Sequence, residues 1–182
     1  MPKIIAAKND WLKLGYQTFS NHGKAGIVVE KLAQKLNVNK SSFYWHFKTK
    51  KDFIYAIVDF WVENETKAII REMDKLHTPQ EKFEALLKRS YKQDPYVDFN
   101  FYLKRFARED KALLQLIDTI NTERISYVTG LLIEMGIAGS TATAKAELLY
   151  KHLIGYHEML RNKKQKKNYL EDVKKELQLF IQ

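Results

Sequence analysis

The chain has 182 residues, no cysteine and a formal net charge of +9. It is long enough to bury a core as one or two small domains, and it excludes a disulfide framework, a cysteine-zinc cluster and a thiol nucleophile. The N-terminal stretch MPKIIAAKNDW lacks the apolar centre of a signal peptide, and no apolar run approaches the ~18 residues of a membrane span, so a soluble, cytoplasmic protein is expected.

The charge is unevenly placed. Up to Lys51, ten lysines oppose only Asp10 and Glu30, so eight of the nine net charges fall in the first 51 residues. A chain that is basic only for solubility would spread its lysines, and this concentration is the footprint of a polyanion partner. The region has no stripe of large apolar residues of the kind that seats a helix on a membrane, which favours DNA.

In chain order, Ile4, Ala7, Trp11, Leu12, Gly15, Tyr16 and Phe19 predict a first helix over about 3–22, closed at His22-Gly23. Val29, Leu32, Ala33 and Leu36 recur at helical spacing and predict a short second helix over 28–36. Asn37 ends it as a residue that tolerates a left-handed exit, and Val38 fills the angle that follows. Asn39 is the next expected N-cap, with a third helix over 40–47. Phe43 and Phe47, four apart, would pack inward, leaving Lys40, Ser41, Ser42, Tyr44, Trp45 and His46 to face DNA. Lys40 and Ser42 are the expected base readers; Tyr44 and His46 are expected on phosphates. Such a helix suits a major groove. Thr49-Lys50-Lys51-Asp52 has the capping-box pattern, and the helix it opens presents its positive end with two lysines, Lys50 and Lys51, as a phosphate seat, Lys50 being the expected phosphate contact.

The segment VVEKLAQKLNVNKSSFYWHFKTKKDF, residues 28–53, resembles the helix-turn-helix of the TetR family of bacterial repressors. The resemblance rests on KLAQKL, YWH and the K-x-K of Lys48 and Lys50. It is strong over about 23–54, weaker over 4–76, and rests on length and helix layout beyond. Asn37 stands where the family usually has glycine, and Val28 and Val29 where it often has threonine. Glu30 occupies a position at which a member of the family carries a base-reading arginine, so a different operator is expected.

From Asp52 the apolar positions continue without a breaker to about Leu76, predicting one long helix of about 37 Å. Thr78-Pro79-Gln80-Glu81 predicts a capped helix to about Tyr91, and Asp94-Pro95 a break. Further helices are expected over about 97–108, 110–135, 141–161 and 169–181, separated by the glycine-containing loop 136–140 and the basic connector 161–168. The expected architecture is all-α and two-lobed, nine helices in all. An N-terminal three-helix helix-turn-helix domain, 1–51, would be joined by the helix 52–76 to a C-terminal helical ligand-binding and dimerisation domain, 52–182.

His152 and His157 are five apart and cannot share a helix face as a metal pair would, and no carboxylate pair is spaced for acid-base work. Neither a metal, a cofactor nor an enzymatic activity is expected. The family resemblance implies a small-molecule pocket in the second lobe. Its candidate lining is Trp61, Phe99, Tyr102, Phe106, Tyr127, His152 and Tyr156, although such aromatics equally build core. The resemblance also implies a homodimer formed by the last two long helices, for which Leu148, Gly155, Met159 and Leu177 are the candidates. The function expected is a homodimeric transcriptional repressor released from a palindromic operator on double-stranded DNA by an unidentified small-molecule inducer. The alternatives are the same fold under control of a protein partner or of nothing, and, of another class, an enzyme in the helical lobe.

Overall fold

The computed structural model describes residues 6–93, 99–160 and 163–179, all of them helical or connecting, with no strand among them. The expected helix start at Lys3, the break at Asp94-Pro95 and the end of the last helix at Phe180 and Ile181 lie outside these residues. In chain order the elements are α1 (Lys8–Gly26), α2 (Val29–Lys35), α3 (Ser41–His46), α4 (Lys50–Val62), a π-helical segment (Glu63–Lys67), α5 (Ala68–Met73), α6 (Pro79–Ser90), α7 (Phe99–Ala107), α8 (Lys111–Glu134), α9 (Gly139–Leu160) and α10 (Tyr169–Gln178). Since α4, the π segment and α5 form one continuous helical run, the described residues hold nine such runs. The all-α class follows.

The chain forms two compact units, one from residues 1–65 and 98–114 and the other from 66–97 and 115–182. Compactness therefore assigns 52–65 and 98–114 to the N-terminal unit, where sequence pattern alone places the division at 51/52. One crossing between units falls inside the π segment and another inside α8.

The first unit is organised on α1. Trp11 and Phe19 are fully buried, and the second, third and fourth helices contribute Leu32, Phe43, Phe53, Ile54, Ile57 and Val58. Gly15 lets α1 and α4 approach, because a Cβ built there would lie 2.7 Å from Ile57 Cδ1 and against Phe53 Cζ. Gly23, at φ 60°, breaks the helical path within α1, where the sequence places the end of the first helix. α7 packs back onto α1, with Phe99 5.0 Å from Tyr16 and 5.2 Å from Phe19 between ring centroids.

In the second unit, Leu87, Tyr91, Leu149, Val173 and Leu177 form one buried cluster and Leu132, Ala142 and Ala146 another. Gly136, at φ 91°, closes α8, with the Ile137 amide donating to the Leu132 carbonyl at 3.0 Å.

Candidate nucleic-acid interface

Two capped helix ends and one sharp exit position the candidate surface. Asn37 adopts φ 54°. Its amide donates to the Gln34 carbonyl and that of Val38 to the Ala33 carbonyl, both at 3.0 Å, the paired bonds of a Schellman termination. Two residues on, the Asn39 side-chain oxygen accepts from the Ser41 amide at 2.9 Å, so α3 begins with its first donors satisfied. α3 has only six residues and cannot stand alone; packing holds it. Phe43 is fully buried, 5.4 Å from Trp11 and 5.1 Å from Phe53 between centroids, and Phe47 follows at 4.7 Å from Phe53.

Once these phenylalanines face inward, the remaining residues are fixed in direction. Tyr44 is 55% and Trp45 78% exposed. Lys40 and Ser41 are exposed as well, with Lys40 Nζ 3.9 Å from Glu30 Oε1 in a solvent-facing pair. Two neighbouring aromatic side chains are thus presented to solvent on a helix whose other face packs inward.

Two of the residues expected to face DNA, one as a base reader and one on phosphate, are placed otherwise. Ser42 is 5% exposed, and its hydroxyl accepts from the Trp11 indole N–H at 3.4 Å. It lies on the buried side because the inward arc of α3 includes the residue beside Phe43 and because Trp11 needs a small polar neighbour there. Ser42 therefore lies off the exposed face of α3 on which the sequence pattern places it. His46 is half-buried, with Nε2 2.8 Å from the Ala6 carbonyl, a bond that requires the proton on Nε2. This ties the end of α3 to the chain entering α1.

At the start of α4 the capping box is complete: the Asp52 amide donates to Thr49 Oγ1 at 3.1 Å and the Thr49 amide to Asp52 Oδ2 at 3.0 Å. The helix starts at Lys50, two residues before the expected Asp52, because Thr49 is the cap and Asp52 its third residue. Lys48 and Lys50 are exposed beside this positive helix end. Lys51 turns to another partner: its Nζ lies 3.0 Å from Asp110 Oδ2. Asp110 Oδ1 accepts from the Tyr55 hydroxyl at 2.8 Å and from the Leu113 amide at 3.3 Å. The Tyr55 bond, and then the Lys51 bond, hold the Asp110 carboxyl below the usual range, while the same aspartate pushes Lys51 and Tyr55 up. No sequence signal near Lys51 announces a partner 59 positions away; the only local hint is an aspartate just ahead of a helix.

The seven candidate pocket residues are divided between the units. Trp61, Phe99, Tyr102 and Phe106 belong to the first, where Phe99 meets Trp61 in a tilted pair at 5.2 Å and Tyr102 and Phe106 meet Phe19 at 6.5 and 6.4 Å. Phe99, Tyr102 and Phe106 are packing partners of α1, and Trp61 meets α7 through Phe99. Tyr127, His152 and Tyr156 lie in the second unit. Tyr127 donates to Asp74 Oδ1 at 2.9 Å. His152 Nδ1 is 2.8 Å from the Tyr91 hydroxyl and its Nε2 3.2 Å from Glu176 Oε2, and Tyr156 accepts from Gln165 Nε2 at 3.0 Å. Burial, and then the Glu176 carboxylate, push the Tyr91 hydroxyl far up, so it remains a neutral donor.

Of the interface candidates, Leu148 (39%), Gly155 and Met159 (71%) are exposed along one face of α9, and a Cβ at Gly155 would meet nothing within 4 Å. Leu177 is instead buried within its own chain against Leu87, Tyr91, Leu149 and Val173. The apolar face of α10 is used internally by Val173 and Leu177, in contrast to the exposed stripe of α9.

Among the described residues no group of three His, Asp or Glu is placed to hold a metal, and no helix is long and apolar enough to cross a membrane.

Comparison with known proteins agrees with this geometry. Residues 12–57 match the family model of bacterial regulatory proteins, tetR family. A search of curated proteins gives no match. Among solved structures, a transcriptional regulator from Rhodococcus sp. Rha1 superposes with a TM-score of 0.80 at 16% identity, covering 97% of this chain and 96% of that one. A TetR-family transcriptional regulator from Agrobacterium tumefaciens gives 0.76 at 17% identity, with 94% and 95% covered. A TetR transcriptional regulator from Legionella pneumophila gives 0.75 at 18%, with both chains fully covered. At these identities the structures establish a shared fold along the whole chain.

Proposed function

For a chain whose N-terminal domain belongs to the tetR family of bacterial regulatory proteins, we propose a homodimeric repressor that reads a palindromic operator through α3 and is released by a small molecule held in the second unit. The observation that carries the DNA-reading part is Trp45, 78% exposed on a helix anchored by the fully buried Phe43 and followed by the capped, lysine-bearing start of α4. The helix has the dimensions of a major-groove reader, and the lysines supply the sequence-independent attraction. Ser41, Lys40, Tyr44 and Trp45 are the base-facing set; Lys48 and Lys50 hold phosphates, and His46 fixes the helix end through Ala6.

Two-fold reading follows from the exposed α9 stripe of Leu148, Gly155 and Met159, which a second copy would cover. Release follows if a ligand of the second unit, lined by Tyr127, His152 or Tyr156, changes the spacing of the two heads, which must match half-sites about 34–36 Å apart. By linkage, operator DNA then weakens ligand binding by the same factor, for a coupling of about 1–3 kcal/mol.

Selection of duplexes from a randomised pool tests this reading. The expected product is a sequence with two-fold symmetry and half-sites one helical turn apart. A pool that shows no enrichment, or an enriched site without symmetry, overturns it.

A further inference from the structure

Asp110 occupies an unusual position: one carboxylate caps the first turn of α8 through Leu113 and holds two side chains of α4, Lys51 and Tyr55, by separate bonds. Its side chain is only 14% exposed, against 65% for Lys51. The two oxygens divide the work. Oδ1 takes the Tyr55 hydroxyl and the Leu113 amide, and Oδ2 takes Lys51. Lys51 also passes over the Tyr55 ring at 5.6 Å, so the lysine is held along α4 and away from the helix start. Lys50, the neighbouring residue, is exposed at that start.

We infer that Asp110 is a positioning residue for DNA reading: by clamping Lys51 and Tyr55 to the cap of α8, it fixes the attitude of the first turn of α4 and, through Phe53 packed on Phe43 and Phe47, the angle at which α3 meets its site. The inference rests on the DNA-reading function proposed above. In this role Lys51 is a tether, and its charge is spent on Asp110 in place of a phosphate. A loop or a flexible lysine pair would leave the start of α4 free to tilt relative to α7 and the first turn of α8 in the same unit. The Asp110 network restrains that freedom with two bonds from α4 converging on a carboxylate that the Leu113 amide holds in place, a more ordered arrangement than a single exposed ion pair.

The competing role for a carboxylate near a DNA-facing surface has the opposite sign. If Asp110 acted only through its charge, it would repel phosphate and occupy a cation, and its removal would tighten binding. Asp110→Asn separates the two. An asparagine oxygen in place of Oδ1 keeps the Tyr55 and Leu113 bonds, and so the helix cap, while the bond to Lys51 is lost.

The experiment measures binding of Asp110→Asn, Lys51→Met and the double variant to a duplex selected by the wild-type protein and to an unrelated duplex, over a salt series. Positioning predicts that each single variant weakens the selected duplex by about tenfold, roughly threefold at each of two heads. It also predicts that the double variant is no weaker than either single one, that the unrelated duplex is not weakened, and that the salt slope is retained. Tighter or unchanged binding by Asp110→Asn overturns the inference, as does an additive double variant or a slope flattened by about one in Lys51→Met, which would make Lys51 a phosphate contact. If the wild-type protein selects no duplex, the DNA-reading function itself fails, a result separate from any behaviour of the variants.

Discussion

The indole N–H of Trp11 points at the hydroxyl of Ser42, 3.4 Å away and 31 residues along the chain, on the side of α3 that Phe43 and Phe47 turn inward. Trp11 is fully buried and Ser42 nearly so. Ser42→Ala should therefore cost stability, about 1 kcal/mol at the lower end for a buried donor left without its acceptor, because the bond is long. It should leave base preference unchanged. Denaturant unfolding beside duplex selection checks both, and a shift in the preferred base at one position per half-site would return Ser42 to the reading face.

Trp45 should behave in the opposite way. With 78% of its surface exposed, Trp45→Ala is expected to change folding stability by no more than about 0.5 kcal/mol. The loss should appear on DNA, at roughly 1–3 kcal/mol per half-site if the ring meets a base edge or thymine methyl. Titration with the selected duplex decides it; an unfolding midpoint that falls while DNA affinity holds would place Trp45 in the structure and not in the reading.

Asn37 holds the angle between α2 and α3 at φ 54°. Asn37→Ala should destabilise the protein by about 1–2 kcal/mol, the cost of a left-handed residue with an ordinary Cβ, whereas Asn37→Gly should be neutral or mildly stabilising. Equal thermal stability of the alanine and glycine proteins would contradict the left-handed exit.

Much of this was legible locally. The exit at Asn37, the box at Thr49 and the cap at Thr78 are decided within a few residues, and each is formed by bonds that span no more than five positions. The direction of Ser42 was not, because a six-residue helix does not say how wide its buried arc is, and the residue that widens it comes from α1. Leu177 and Leu148 are both apolar on amphipathic helices, and periodicity cannot say which stripe its own chain covers. Phe99 and Phe106 look like lining or core equally well until Tyr16 and Phe19 are brought against them. The π segment was hidden for another reason: Glu63, Asn64, Glu65 and Lys67 are polar, so no apolar position records the extra residue in the turn.

Glu81 offers a pH test apart from DNA. Its carboxylate accepts from the Thr78 amide at 3.1 Å and the His77 amide at 3.2 Å, and these bonds, Thr78 first, hold it below the usual range. A carboxylate whose folded-state pKa is depressed contributes stability that is present above its unfolded value and lost as pH falls through the folded one. Wild type should thus exceed Glu81→Gln in stability at neutral pH, and the difference should shrink through the acidic range below the ordinary glutamate value. Thermal unfolding at several pH values reads this, and a difference that persists unchanged into acid would remove the ionic part of the cap.

The central claim, that the lysine-bearing start of α4 meets the phosphates of a duplex read by α3, is tested most directly by the salt dependence of binding to the selected duplex for wild type and Lys50→Ala. Counterion release predicts affinity that falls linearly in log–log form with salt, and a slope flatter by about one unit in the Lys50→Ala protein, with weaker binding to every sequence. A slope identical in the two proteins would contradict the phosphate contact and the orientation of the reading helix built upon it.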